Sequence, residues 1–391
     1  MEDKELFDEV SQIVSSCVPV SPHSRRKTKK IRVGKVYVGG DAPISVQTMT
    51  KNPTEDTQAL LQEIKEIEDI GADIVRISVP DERSALSLLK VRDKVNIPIV
   101  ADIHFDPKMA VKVLEDETAD CVRINPGNIK SAIKSRELTA GYDLLERIVE
   151  LAKEKGKAIR VGVNSGSLEK PILEKYGKPT PQALCESALL NVKLLERLGF
   201  SEIKVSLKSS DPYETMIAYF LFSSVCDYPL HVGVTEAGTR LSGAVRSSVA
   251  LGILLWHGIG DTIRVSLAAP AVEEVIVGKR ILESLKIRPQ EGRVIACPTC
   301  ARTQIDVVRI AEEVEQKMIK EKINKSVAIM GCVVNGPGES YVADFGVVGG
   351  GSSAVFYVGG RPQFKTTKNS DEIVRKLISI LADNSTEQKR G

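Results

Sequence analysis

The sequence predicts an α/β fold: a (β/α)8 TIM-type barrel followed by a small α+β domain. Three observations predict it. From residue 44 onward, short β-branched runs alternate eight times with longer stretches of helical period, the pattern of βα units feeding a parallel sheet. The array spans residues 44–285, close to the ~250 residues typical of such a barrel. Beyond Arg288-Pro289-Gln290-Glu291-Gly292 the rhythm changes, and 391 residues exceed what one hydrophobic core usually serves. An open doubly wound sheet is the structural rival, but no G-x-G-x-x-G loop follows the first strand.

Taken in order, residues 1–43 form an N-terminal extension and a short hairpin over Val33 to Gly40, preceded by the basic run Arg25 to Arg32. Such a run is usually a solvated flank. Barrel strands are expected at 44–49, 74–79, 97–103, 121–126, 158–164, 203–209, 229–236 and 261–267. Helices such as Thr57 to Ile70 and Pro181 to Leu198 lie between them, with Gly71, Gly156 and Gly199 as C-cap glycines and a last helix near Val272 to Leu285. The second domain, 289–391, reads as a strand (Val294 to Ala296), a helix (Thr303 to Lys320) and a strand (Val327 to Met330). Two glycine-separated strands (Val342 to Val348, Ala354 to Val358) and a helix (Asp371 to Ala382) complete it.

Composition narrows the function. Lys plus Arg (54) nearly balance Asp plus Glu (52), so no bulk charge argues for a nucleic-acid or membrane-surface binder. The apolar stretch Val249 to Trp256 falls far short of the ~20 residues a membrane span needs. The acidic start Met1-Glu2-Asp3-Lys4-Glu5 lacks the cationic and apolar regions of a secretory signal, and an odd number of cysteines, seven, fits a reducing compartment. A cytoplasmic location is therefore expected.

Several strands pair a basic with a small polar residue two apart, so both face the same side. The pairs are Arg76/Ser78, Arg123/Asn125, Lys204/Ser206 and Arg264/Ser266, with Arg160 and Asn164 four apart and Asp102/His104 as an acidic counterpart. Any one of these arginines alone would ordinarily face outward or pair with a carboxylate. On five strands together they imply an anionic ligand at the C-terminal mouth or an internal ion-pair network, because charges are expensive to bury unpaired, and the position of active sites at barrel mouths favours the ligand. Arg forks suit phosphate oxygens, Lys208 adds a point charge, and a ligand with two phosphates would use the set well. Glu236 lies at the same rim and can serve as general acid or base, or simply cap or pair. With only four histidines, a multi-histidine metal centre is not expected.

Cys297-Pro298-Thr299-Cys300 lies between a strand and a helix, and Cys332 follows the next strand in Gly331-Cys332-Val333-Val334-Asn335-Gly336-Pro337-Gly338-Glu339. A structural zinc site lacks its fourth Cys or His here, and a thioredoxin-like dithiol leaves Cys332 without a role. An iron–sulfur cluster uses all three thiolates and leaves one iron for an oxygen ligand or substrate. The turn Asn335 to Glu339 can bend Glu339 toward the cysteines, making it the candidate fourth ligand, although an exposed turn acid is the plain alternative. Together these pieces suggest reductive chemistry on a phosphorylated small molecule. No nicotinamide or flavin signature appears, so electrons would come from a protein carrier.

These motifs resemble the 4-hydroxy-3-methylbut-2-enyl diphosphate synthase family of the methylerythritol phosphate isoprenoid pathway. The match runs from ISVQTMT (44–50) through IVRISVPD (74–81), VADIHFD (100–106), VRINPGNI (122–129), IRVGVNSGSLE (159–169), VSLKSSD (205–211), GVTEAGT (233–239) and IRVSL (263–267) to CPTC (297–300) and MGCVVNGPGE (330–339). The resemblance implies a [4Fe-4S] cluster held by Cys297, Cys300, Cys332 and Glu339, and reductive ring opening of 2-C-methyl-D-erythritol 2,4-cyclodiphosphate. It implies diphosphate ligands at Arg76, Arg123, Arg160, Asn164, Lys208, Arg264 and Ser266, with Asp102, His104 and Asn125 near the substrate and Glu236 as proton donor or organiser. It also implies a ferredoxin or flavodoxin donor and a head-to-tail homodimer in which one chain's cluster domain covers the other's barrel. The N-terminal 30 residues with Cys17 lie outside the strong motifs, Ala301-Arg302 stands where Gly-Arg is expected, and no long insertion interrupts the two-domain form. The rival readings are a zinc-knuckle nucleic-acid-binding barrel and a cofactor-free phosphate-binding barrel lyase.

Overall fold

The computed structural model describes residues 24–104, 106–132 and 138–387, and the side chains of all but 130–142 and 383–387 among them. Cys17 and most of the N-terminal extension lie outside the described residues. Two compact units divide at Gly278/Lys279, within the helix Ala271–Ser284, whereas the expected cut at 288/289 falls just after that helix.

In the first unit, β1 (Ile31–Val33) and β2 (Val36–Val38) form an antiparallel hairpin with Ile31 opposite Val38. Its turn needs Gly34: φ is +57°, and an added Cβ would meet the Asp120 carboxyl carbon at 2.9 Å. Ile31, Val33 and Val38 pack on Ile74, Val100, Cys121 and Ala158. Ile74, Cys121 and Ala158 are the first residues of their strands, so the hairpin plugs the barrel's N-terminal end. The basic run anchors this segment. Arg25 reaches Asp261 at 2.7 Å, Arg26 donates to the Tyr228 carbonyl at 2.7 Å, and Lys29 pairs with Asp227 at 3.3 Å. What reads as a solvated flank is in large part a structural strap.

The barrel comprises β3 (Ser45–Met49), β4 (Ile74–Ser78), β5 (Ile99–Asp102), β6 (Cys121–Ile124), β7 (Ala158–Asn164), β8 (Ile203–Lys208), β9 (His231–Val232) and β10 (Thr262–Ile263), all parallel. Their order is β8-β7-β6-β5-β4-β3-β10-β9, and the pairing of Val205 with Leu230 closes the ring. These strands are buried on both faces, which is why they read as β-branched runs rather than alternating ones. Helices begin where a side chain satisfies a free N–H: Asp56 caps Thr57–Asp69, Asp81 caps Glu82–Arg92, Thr180 caps Pro181–Arg197 and Asp211 caps Pro212–Val225. Gly71, Gly156 and Gly199 all take the positive φ of a C-cap.

The strands expected at 229–236 and 261–267 shorten to two residues each. The backbones run too close for a regular ladder beyond them: a Cβ on Gly233 would sit 2.2 Å from the Arg264 carbonyl oxygen.

The second unit is a five-stranded sheet: β11 (Arg293–Ala296), β12 (Ser326–Met330), β13 (Phe345–Gly350), β14 (Ser353–Val358) and β15 (Arg361–Thr366). The first three are parallel and the last three antiparallel. Helices Val307–Glu321 and Ser370–Glu387 supply Ile310, Val314, Ile373 and Leu377 to its core. Two elements escape the sequence reading. β15 is an exposed edge strand carrying Pro362 and lacks an apolar period. The expected turn at Asn335–Glu339 is instead the start of a helix, Gly336–Val342, because Pro337 sits in the first turn, where its missing N–H costs nothing.

Candidate active site

Alternate residues of each barrel strand point inward. A barrel of this kind is normally filled by Val, Ile and Leu. Here β4 contributes Arg76, β6 Arg123, β7 Arg160, β8 Lys204, Ser206 and Lys208, and the segment after β10 Arg264 and Ser266.

Among the described residues, Asp102 is one of two internal anions. Its carboxylate lies 3.4 Å from Arg123 and 3.9 Å from Arg76. Burial raises its pKa, but Arg76 and then Arg123 outweigh it and hold the group down at about 2. Arg76 also donates to the Met49 Sδ at 2.8 Å. Arg123 reaches His104 Nδ1 at 2.7 Å and donates to the Gly162 carbonyl at 3.0 Å. Burial and then the Arg123 charge hold His104 below its ordinary value. The Asn164 amide, turned to satisfy both ends, accepts from Arg123 at 3.2 Å. Arg160 donates to the Ser206 Oγ at 3.0 and 3.2 Å. Arg264 sits 3.6 Å from Glu274, a fully buried carboxylate that also holds Lys51 at 2.6 Å.

The cations outnumber these two carboxylates. Among the described residues, Arg160 Nη1 and Lys208 Nζ are buried without a partner. Burial, then Arg160 and Arg264, drives Lys208 well below the lysine range. Burial, then Arg76 and Arg123, lowers Arg160 well below the ordinary arginine value, and Arg264 is lowered to about 10 by burial and Arg76. Cations that depress one another in a buried site are poised for an anion.

Asn125 lies beyond β6 and accepts from the Gly127 N–H at 3.2 Å, leaving its Nδ2 without a partner. A buried support holds this loop: Glu169 accepts from Ser187 at 2.6 Å and Asn191 at 2.8 Å, and Asn191 in turn accepts from Gly127. Asn125, His104 and Arg123 line one cavity of about 70 Å³. Glu236 is exposed and lies in the loop after β9 rather than ending a strand, with φ +50°, a conformation a non-glycine residue rarely takes.

In the second unit Cys297 follows β11 and Cys332 follows β12. Cys297, Cys300 and Cys332 are free thiols lining a single cavity of about 140 Å³. The Gly331 N–H donates to Cys297 Sγ at 3.2 Å, the kind of contact that stabilises a thiolate ligand. Among the described residues no three His, Cys, Asp or Glu side chains gather about one metal-ion position. A polynuclear cluster is held at its corners and needs space between the sulfurs, so the three cysteines and their cavity fit an iron–sulfur group. Glu339 is exposed in the first turn of its helix and does not line this cavity.

A family model described as GcpE TIM-barrel domain matches residues 28–279, and one described as GcpE protein C-terminal domain matches 293–383. The chain belongs to the GcpE family. Among curated GcpE relatives, each named 4-hydroxy-3-methylbut-2-en-1-yl diphosphate synthase (flavodoxin), that of Caldanaerobacter subterraneus is 50% identical over 362 residues, covering 92% of this chain and 99% of the relative. That of Hahella chejuensis is 48% identical, covering 92% and 94%, and that of Gluconobacter oxydans 47%, covering 97% and 96%.

GcpE membership agrees with the resemblance carried by the motifs. Pairs of strand residues do not reveal Gln47, His231, Glu274, Glu169 or Asn191, and they show Lys204 only as the partner of Ser206. For Gln47 and Lys204 the inward alternation was readable. For Glu169, Asn191 and Glu274, which act from helices or loops, no local signal exists.

Proposed function

We propose that this chain is a 4-hydroxy-3-methylbut-2-enyl diphosphate synthase, an oxidoreductase that opens the ring of 2-C-methyl-D-erythritol 2,4-cyclodiphosphate with two electrons and releases one substrate oxygen as water. The observation that carries this reading is the barrel interior: buried cations in excess of carboxylates, gathered where a diphosphate would neutralise them. Arg76, Arg123, Arg160, Asn164, Lys208, Arg264 and Ser266 bind the phosphate oxygens. Asp102, His104 and Asn125 orient the carbon skeleton, with Asp102 fixing the Arg76 and Arg123 forks before substrate arrives. Glu236, presented at the rim on a strained backbone, holds or delivers the proton that the departing oxygen takes up.

Cys297, Cys300 and Cys332, with Glu339 as an exchangeable oxygen ligand, hold a [4Fe-4S] cluster in the domain 289–391. When bound it supplies electrons singly and a Lewis-acidic iron. Gly336, in the same helical turn as Glu339, lines the cysteine cavity. A flavodoxin or ferredoxin supplies the electrons, in line with the relatives' names. The protein works in the cytoplasm, consistent with its free cysteines.

A homodimer fits the surface of the barrel. Leu241, Val245, Val249 and Ile253, four apart on the helix Arg240–Trp256, form an exposed apolar stripe (77%, 55%, 49% and 40% exposed) suited to a second copy. Its head-to-tail arrangement would bring a partner's cluster to each barrel.

Titration calorimetry of the cyclodiphosphate into anaerobic holoenzyme tests the clamp. Binding that weakens at least tenfold in Arg123→Met supports it, and equal affinity in the variant contradicts it.

A further inference from the structure

Below the clamp the barrel carries a second buried polar layer. Lys204 on β8 is wholly buried with its ammonium unpartnered, His231 on β9 is wholly buried with neither ring nitrogen bonded, and Gln47 on β3 is 1% exposed with both amide ends unbonded. Arg160, paired in register with Lys204, leaves its Nη1 unbonded beside them. The bridge of Val205 to Leu230 sets His231 beside Ser206, whose Oγ accepts from Arg160 at 3.0 Å, and Thr262 pairs with both His231 and Ser45, two residues before Gln47, so these side chains line one stretch of the interior.

This layer lies beneath the substrate mouth and shares Arg160 with it. Lys204 precedes Lys208 by four residues on β8, about 13 Å along a strand, too deep to share a phosphate held at the rim. Donors dominate it: an ammonium, a guanidinium arm, an amide NH2 and one imidazole N–H, against one amide oxygen and one imidazole nitrogen. The interior carboxylates are engaged elsewhere, Asp102 with Arg76 and Arg123, Glu274 with Lys51 and Arg264. Water could satisfy the donors but would leave the charge uncompensated.

We infer that Lys204, Arg160, His231 and Gln47 bind a small monovalent inorganic anion, of halide size, as a fixed counter-ion inside the barrel. The ion compensates the Lys204 and Arg160 charges whether or not substrate is present. Burial lowers Lys204 to about 8 despite the opposing Cys121 sulfur, and a resident anion would raise it again.

The test uses anaerobic holoenzyme with bromide in place of chloride. Crystals should show an anomalous bromine peak within hydrogen-bond reach of Lys204 Nζ. At constant ionic strength, exchanging gluconate for tens of millimolar bromide should raise the wild-type Tm by several degrees and leave Lys204→Met unmoved. Water alone at Lys204, a peak confined to the rim near Lys208, or an equal Tm rise in Lys204→Met would each overturn the inference. So would a peak seen only at molar bromide without a Tm response, an adventitious ion only. Should Lys204→Met not fold, the wild-type bromine peak decides.

Discussion

Arg123 crosses the face of Gly162 so closely that a Cβ there would lie 2.1 Å from its Nε, while the same guanidinium donates to the Gly162 carbonyl at 3.0 Å. The glycine on β7 is therefore the slot through which a cation of β6 reaches the barrel axis. Glycine weakens a strand, and its presence in one fully buried has a cause in this close approach.

Gly162→Ala should displace Arg123 from His104 and Asp102. Steady-state kinetics should show KM for the cyclodiphosphate raised about tenfold or more, with the visible absorbance of the cluster unchanged. A KM equal to wild type would remove Arg123 from the clamp.

Arg76→Ala removes a charge-assisted contact worth roughly 1.5–3 kcal/mol, so KM should rise about 10- to 100-fold. Arg76→Lys should recover part of this, because the charge returns without the fork. Unchanged kinetics in Arg76→Ala would take this residue out of substrate binding.

Asp102 makes stability pH-dependent in a defined window. Its folded-state pKa of about 2 lies below the ordinary 3.8, so its contribution, about 2 kcal/mol, is complete above pH 4 and fades as pH falls toward 2. Denaturant titrations should show Asp102→Asn less stable than wild type at pH 5, with the gap narrowing by about that amount near pH 2. A gap independent of pH would mean that Arg76 and Arg123 do not hold the charged form.

Cys332→Ser should lose iron, sulfide and visible absorbance together after anaerobic reconstitution, whereas Cys226→Ser should retain all three. Metal analysis reads the outcome. Full iron and activity in Cys332→Ser would exclude Cys332 as a ligand.

Much of this was legible in the sequence, for physical reasons. Buried parallel strands announce themselves as β-branched runs, so β3 to β8 lie within their expected segments. The cysteines flank strand ends, and the parallel pairing of β11 with β12 brings Cys297, Cys300 and Cys332 to one cavity. Arg76, Arg123 and Arg160 were visible because charge in an otherwise apolar strand is anomalous. Support from a distance was not visible: Glu274 reaches Arg264 from a helix, and Glu169 steadies the Asn125 loop through Asn191. Edge strand β15 is stabilised by pairing with β14 rather than by burial, so no apolar period marks it. The conformation of Glu339 depends on a short proline-started helix that composition reads as a turn.

The central claim is that a cluster-bearing form of this chain reduces the cyclodiphosphate, and one anaerobic assay tests it most directly. Protein loaded with about four irons and matching sulfide per chain is given 2-C-methyl-D-erythritol 2,4-cyclodiphosphate and a reduced flavodoxin or artificial donor. Formation of 4-hydroxy-3-methylbut-2-enyl diphosphate, dependent on both the donor and the cluster, is the predicted result. Turnover by metal-free protein, or none by fully loaded protein with an active donor, would contradict it.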